Sequence, residues 1–239
     1  MKKSLLFLSL SIILAFGLSC TRLKKPEATE RRQEWILSMN DSIARYKAQA
    51  DSATDALALL RERIAAMMPE FEHVSNPREV EGYFIFNGWK SRYPLSSTEV
   101  VARISEAEGF ELIAALEGGV FNQIKVSAGG RSATSAVVPH DQALNYRAGN
   151  LNTVCFTGPQ ADSIGALIAD ADKDVQVAYL GGAKPRSLSL RPDARRMIAA
   201  TWNLYAAQKE SHRLEKMLPL LSRKVDLCRR MLNDNDSTK

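Results

Sequence analysis

Both ends of this 239-residue chain carry apolar and small residues at alternating intervals of three and four. The first series comprises Ile36, Met39, Ile43, Tyr46, Ala50, Ala53, Leu57, Leu60, Ile64 and Met67. The second comprises Met197, Ala200, Leu204, Ala207, Ser211, Leu214, Leu218, Leu221, Val225, Cys228 and Leu232. A repeat of about 3.5 residues keeps one narrow stripe of a helix facing a partner. The pattern therefore predicts long helices over residues 30–68 and 193–232.

The two series can be aligned antiparallel, so that Ile36 faces Leu232 and Ala53 faces Leu214. In most layers a large residue then meets a small one, which keeps the volume between the helices nearly constant. We therefore predict that the two ends pair as an antiparallel coiled coil, a stalk in which Pro219 kinks the second helix. The alternative is that one or both helices pack on the middle of the chain or on another subunit.

The residues between the helices, 70–192, change to the alternation that is typical of strands. Three glycine-containing turns between apolar runs predict β-hairpins, and one amphipathic helix is expected over residues 159–171. The expected fold class is α+β: an antiparallel β-rich head of about eight strands and one helix between the two terminal helices. Residues 233–239 are polar and are expected to form a disordered tail. The hairpin turns are expected at Gly109, Gly129-Gly130 and Gly181-Gly182.

A basic start and an apolar run too short to span a bilayer comfortably predict a signal peptide over residues 1–19. The run ends in GLSC, residues 17–20, which resembles the lipobox of bacterial, Bacteroidales-type lipoproteins, although Gly17 stands where Leu or Val is usual. The resemblance implies that Cys20 is lipidated, for example with palmitate, and that residues 20–29 form a linker. Several acyl chains on one residue hold a protein firmly at a membrane. The alternatives are a signal peptide cleaved near Ser19 and an uncleaved anchor helix.

The residues that follow Cys20 bear on location. By resemblance to the sorting rules of such bacteria, Thr21 in place of Asp favours the outer membrane. Arg22, Lys24 and Lys25 are basic and lack the acidic cluster that often marks export to the cell surface. The resemblance therefore implies an outer-membrane lipoprotein that faces the periplasm, with the cell surface as the alternative.

The net charge of +5 is too small to indicate a nucleic-acid partner. Basic residues exceed acidic ones mainly within residues 193–232. A solvated helix face is the usual reason for such a run, and an acidic partner or anionic lipid head groups are the alternative.

The sequence gives little support for a metal site or a catalytic site. His73, His140 and His212 are far apart and are not spaced as metal ligands, so neither a metal nor another cofactor is predicted. His140, Asp141 and Cys155 supply the residue types of a thiol hydrolase. However, adjacent side chains diverge in an extended chain, and Cys155 lies among apolar residues, as buried inert thiols do. The chain is therefore not predicted to be an enzyme, and with Cys20 lipidated, Cys155 and Cys228 are expected to remain free thiols.

The segment FNGWKSRYPL contains the best candidate for partner binding, formed by Trp89, Arg92 and Tyr93, because aromatic and arginine residues often anchor interfaces. The alternative is that Trp89 and Tyr93 pack on the core of the head. Together these features predict a non-enzymatic, membrane-anchored module whose head binds an envelope protein or polymer. A periplasmic adaptor of a transport or efflux assembly is the second hypothesis, and a hydrolase that uses Cys155 and His140 is the third.

Overall fold

A computed structural model of the protein describes residues 28–75, 82–89, 94–141, 143–172 and 174–236. The helices are α1 (Ala28–Met67), a short 3-10 helix (Met68–Glu70), α2 (Gly158–Ala169) and α3 (Pro192–Asp236). The strands are β1 (Phe71–Val74), β2 (Tyr83–Phe86), β3 (Glu99–Ser105), β4 (Gly109–Glu117), β5 (Gln123–Ala128), β6 (Arg131–Thr134), β7 (Asn145–Ala148), β8 (Leu151–Phe156), β9 (Gln176–Leu180) and β10 (Arg186–Ser189).

The strands form two antiparallel sheets. One has six strands in the order β1-β2-β3-β4-β8-β7, and the other has four in the order β10-β9-β5-β6. The hairpins β3-β4, β5-β6 and β9-β10 turn where the glycines predicted them. β4 lies inside the larger sheet, and seven of its residues in a row are buried, as expected of a strand that is covered on both faces.

One apolar core joins both sheets to α2 and to the beginning of α3. Phe110 of β4, Ile124 of β5 and Ile164 of α2 are all fully buried in this core. We call this part of the molecule, residues 71–205, the head.

The predicted strand count was wrong, because the described residues contain ten strands in two sheets instead of about eight strands. The two strands that the sequence did not predict are β1 and β7, which form the two edges of the larger sheet. An edge strand pairs on one side only and needs few apolar residues. The residues FEHV and NYRA are accordingly too polar and too short to show a strand pattern.

The predicted pairing of the two terminal helices as a separate coiled-coil stalk was also wrong. The long C-terminal helix, α3, begins inside the head. Its residues Ala194, Met197, Ile198 and Leu204 are buried there, and the Met197 sulfur accepts the backbone N–H of Ala102 in β3 at 3.3 Å. The first third of the C-terminal heptad series therefore packs on a sheet, as part of the core.

Beyond the head, α3 lies beside α1. Ala53 and Leu57 of α1 are buried with Leu214 of α3, and Arg61 Nη2 donates to Glu215 Oε1 at 2.9 Å. α3 continues as one helix through Pro219, and the kink expected there remains a prediction. Cys155 and Cys228 are free thiols, which confirms that they are not joined to each other.

Candidate functional site

Of the residues predicted for lipidation or partner binding, the structure describes only Trp89. Cys20, Arg92 and Tyr93 lie outside the described residues. Trp89 is described, and its side chain is only 5% exposed within the core of the head. Trp89 therefore packs in the core of the head, which was the alternative to partner binding. Its side chain is not accessible to a partner.

The residues of the hydrolase hypothesis lie apart in the head. Cys155 is paired with Ile113 of β4 and shares its side of the sheet with Glu111. His140 lines a cavity together with Asn152, and side chains alternate between faces along a strand, so Asn152 and Cys155 point to opposite faces. Burial, followed by the nearby Glu111 charge, raises the pKa of Cys155 to about 12. A thiol in this environment is a poor nucleophile at neutral pH.

Asp141 has a local structural role. Its Oδ1 accepts the backbone N–H groups of Leu144 at 2.5 Å, Ala143 at 2.8 Å and Asn145 at 3.3 Å. These bonds, led by the one from Leu144, lower the pKa of the Asp141 carboxyl. Asp141 therefore caps the turn that leads into β7, and the structure does not assemble it with Cys155 and His140 into a catalytic group.

Two adjoining cavities open at the end of the head where β4 finishes. The first has a volume of about 390 Å³ and the second about 330 Å³, and Val120 lines both. Each falls at the lower end of the size range of small-ligand sites. We call them together the distal cleft. The first is lined by Val120, Phe121, Asn122, His140, Asn145, Arg147, Asn152 and Gly181, and the second by Leu116, Gly118, Gly119, Val120, Ala183, Lys184 and Arg186.

Two buried asparagines form the floor of the distal cleft. Asn152 Oδ1 accepts the N–H of Phe121 at 2.8 Å, and its Nδ2 donates to Asn145 Oδ1 at 3.0 Å and to the Tyr146 carbonyl at 3.1 Å. Asn145 Nδ2 donates to the Val138 carbonyl at 2.8 Å. Because buried amides are costly unless they are bonded, this network fixes the loops around the cleft.

Glycines bring the two loops of the cleft into contact. A Cβ on Gly181 would lie 1.9 Å from Asn122 Oδ1, and one on Gly182 would lie 2.2 Å from the Val120 carbonyl oxygen. Gly181 also has a φ of 88°, which favours glycine. The β9-β10 turn can approach the loop after β4 this closely only because both positions lack a side chain.

The rim of the distal cleft is basic. Arg147, Lys184 and Arg186 are exposed there, and the lining residues that the structure describes include no carboxylate. Arg186 Nη1 donates to the Glu117 carbonyl at 2.7 Å, and Arg147 Nε donates to the Gly149 carbonyl at 3.1 Å. A guanidinium has five N–H donors, so one such bond orients it and leaves others for a bound group.

A third pocket, where β3 meets the start of α3, is too small for a ligand. Its volume is about 50 Å³, room for a water molecule or two. Arg191 Nη2 lies 3.4 Å from the largely buried carboxylate of Glu99, and burial raises the pKa of the neighbouring Tyr179. This cluster holds the start of α3 on the sheets.

Within the part of the chain that the structure describes, no group of His, Cys, Asp and Glu side chains is arranged to hold a metal ion. None of the described helices is both long and apolar enough to cross a membrane. No protein-family model matches the chain, and neither a curated protein nor a solved structure matches it.

Proposed function

We propose that the protein is a non-enzymatic, membrane-anchored binding module of the cell envelope, whose head takes hold of an envelope protein or polymer through the distal cleft. The observation that carries the proposal is the position of the cleft. β4 starts at Gly109, against the Tyr205 ring of α3, and ends at Glu117, beside the cleft. Beyond Tyr205, α3 leaves the sheets. The cleft therefore opens at the end of the head opposite the one from which α1 and the later part of α3 extend.

This geometry fits an anchor at Cys20. α1 begins at Ala28, only a short linker after Cys20. Ala53, near the middle of α1, packs against Leu214 of α3. The 25 residues from Ala28 to Ala53 span about 38 Å at ~1.5 Å per residue. A chain tethered at Cys20 would thus hold its head away from the membrane, with the distal cleft outermost.

The chemistry of the cleft favours an anionic partner. Three basic side chains and His140 surround a floor of amides and backbone groups, together with the apolar Val120 and Phe121. Guanidinium and ammonium groups bind carboxylate or phosphate through charge-assisted hydrogen bonds. An acidic protein segment or an acidic envelope polymer would satisfy these donors.

The test is photo-crosslinking in intact envelopes. A photoreactive residue is placed at Arg147 or Lys184 in the full chain, and at Lys125, an exposed lysine on β5, as the matched control. We expect the two cleft positions to form an adduct that the control does not form. Adding Arg147→Glu to the Lys184 probe should remove that adduct. Equal adducts at Lys125, or none at the cleft positions, would contradict the proposal.

The anchor has a separate test. Mass spectrometry of the membrane-extracted protein should find an acylated N-terminal peptide that begins at Cys20. Cys20→Ala should move the chain into the soluble fraction, whereas Cys155→Ala, at a thiol inside the head, should not. An N-terminal peptide cleaved near Ser19 that carries an unmodified Cys20 would support the ordinary signal peptide instead.

A further inference from the structure

Outside the head, α3 carries a second stripe beside its contact with α1. Met217, Leu220, Lys224, Leu227 and Met231 recur at alternating intervals of three and four residues. Leu220 is 54% exposed and Leu227 is 53% exposed. Single exposed leucines are ordinary, but apolar residues that share one exposed helix face at a heptad spacing are typical of an interaction surface. We call these five residues the outer stripe.

The outer stripe continues into a groove between the two helices, with a volume of about 660 Å³. On the α1 side this groove is lined mainly by small residues, which leave room for large side chains of another helix. We call it the helical groove. Its lining residues are Arg45, Ala48, Gln49, Ser52, Ala53 and Ala56 of α1 and Glu210, Arg213, Leu214 and Met217 of α3.

Charged rows of opposite sign border this face. On α3, the helical repeat places an exposed basic row along the border that lies away from α1. On α1, it places an exposed acidic row along the opposite border. The residues of each row are spaced by multiples of seven and therefore share one side of their helix. The rows are Lys216, Arg223 and Arg230 on α3, and Asp41, Asp55 and Glu62 on α1.

We propose that a second copy of the chain packs on this face, with a two-fold axis parallel to the helices. Rotation about such an axis lays α1 of each copy on α3 of the other, so that each acidic row meets a basic row. A two-fold axis perpendicular to the helices would lay α3 on α3 and the basic row on its own copy. Like charges in the border rows oppose that second arrangement, so these rows favour the first.

Size complementarity supports the same arrangement. Lys224 Nζ lies 5.2 Å from the centre of the Tyr46 ring, and Leu214 is buried with Ala53, so the position of Leu220 along the helices corresponds to that of Ala48. Rotation about an axis parallel to the helices does not change the position of a residue along the helix axis. Leu220 of one copy therefore packs over Ala48 of the other, a large residue against a small one.

Symmetry gives a sharp test by cysteine crosslinking of the full chain in its native membranes. Gln49 and Ala56 lie in the helical groove near the proposed axis, two helical turns apart, whereas Ala58 is exposed on another side of α1. With a short thiol-reactive crosslinker, Gln49→Cys and Ala56→Cys should each give covalent dimers. Ala58→Cys should give no more than the unsubstituted chain. A two-fold axis perpendicular to the helices reverses the direction of α1 in the second copy. Only the residues at the axis would then lie beside the same residues of the other copy, so Gln49→Cys and Ala56→Cys could not both give dimers.

A second pair of variants tests the outer stripe. Leu227→Glu, in the Gln49→Cys chain, should reduce the dimer yield at least about tenfold, because it buries a carboxylate in the contact. Thr54→Glu, at an exposed residue on the side of α1 opposite the helical groove, should leave the yield unchanged. Circular dichroism should show that both variants fold. Equal yields at positions 58 and 56, no dimer at 49 and 56, or adducts of 49 with a different protein would each overturn the proposal.

Discussion

α3 has one heptad spacing along two parts that pack differently. Its first part packs on the sheets of the head, and its second part packs beside α1. Met197 and Leu204 lie in the part inside the head and are completely buried. Val225 and Cys228 lie in the part beside α1 and retain 7% and 9% of their exposure. The spacing thus specifies a narrow apolar face in both parts, but it does not say whether that face meets a sheet or another helix.

The residues next to the heptad positions make the difference. Ile198 and Thr201 fall outside the series, yet both are completely buried in the head, where Thr201 Oγ1 donates to the Met197 carbonyl at 2.8 Å. In the part beside α1, Leu220 and Leu227 also fall outside the series and are exposed. A helix on a sheet buries a wide face, and a helix beside one partner buries a narrow one.

The largest effect is expected from Phe110→Ala, which removes a completely buried ring from the head. Phe110 makes an edge-to-face contact with Trp202 of α3, with ring centres 5.3 Å apart. A loss of about 3–5 kcal/mol in the free energy of unfolding is expected, measured by urea titration. Val120→Ala, at a half-exposed residue, should cost less than about 0.5 kcal/mol. A Phe110→Ala loss as small as that would mean that the head tolerates the cavity.

Leu214→Ala should have a smaller effect, because it is the corresponding truncation in the contact between α1 and α3. We expect a loss of about 2–3 kcal/mol, at the low end for buried leucines, since the neighbouring side chains can close on the gap. Amide hydrogen exchange should accelerate in α1 around Ala53 and remain slow in β4. Leu220→Ala, on the exposed side of α3, is the matched control. Equal acceleration in β4 would mean that the two regions unfold as one unit.

Local patterns predicted the helices and hairpins, while contacts between distant segments escaped prediction. The residues next to the C-terminal heptad series, Ile198 and Trp202, are apolar and could have indicated a wide buried face. The distal cleft gave a weaker signal. Gly181 was predicted as a turn residue, but its approach to Asn122 joins two separate loops. Asn145 was not recognised because β7, an edge strand, was itself missed.

Gly165→Ala tests how closely α2 packs in the head. A Cβ at Gly165 would lie 2.7 Å from the Phe110 ring and 2.8 Å from Trp202. Overpacking costs about 1–3 kcal/mol, and Ala gains about 1 kcal/mol over Gly in a helix, so the expected net loss is about 1 kcal/mol by urea unfolding. Ser163→Ala, on the exposed side of α2, should gain a few tenths of a kcal/mol. A stabilised Gly165→Ala variant would show that the contact is looser than the structure indicates.

The smallest effect should come from Glu106→Gln at the exposed end of the β3-β4 hairpin, and it should depend on pH. Glu106 accepts the Gly82 N–H at 2.9 Å and lies 2.9 Å from His73 Nε2. The bond from Gly82, followed by that with His73, lowers the pKa of Glu106 below its ordinary 4.5. A lowered pKa in the folded chain gives stability that is present above the ordinary value and is lost as the pH falls through the lowered one. Glu106→Gln should therefore remove part of the acid dependence of unfolding below about pH 4.5. Parallel pH profiles for the original chain and Glu106→Gln would contradict this assignment. The head would then owe its acid sensitivity to groups other than this surface contact.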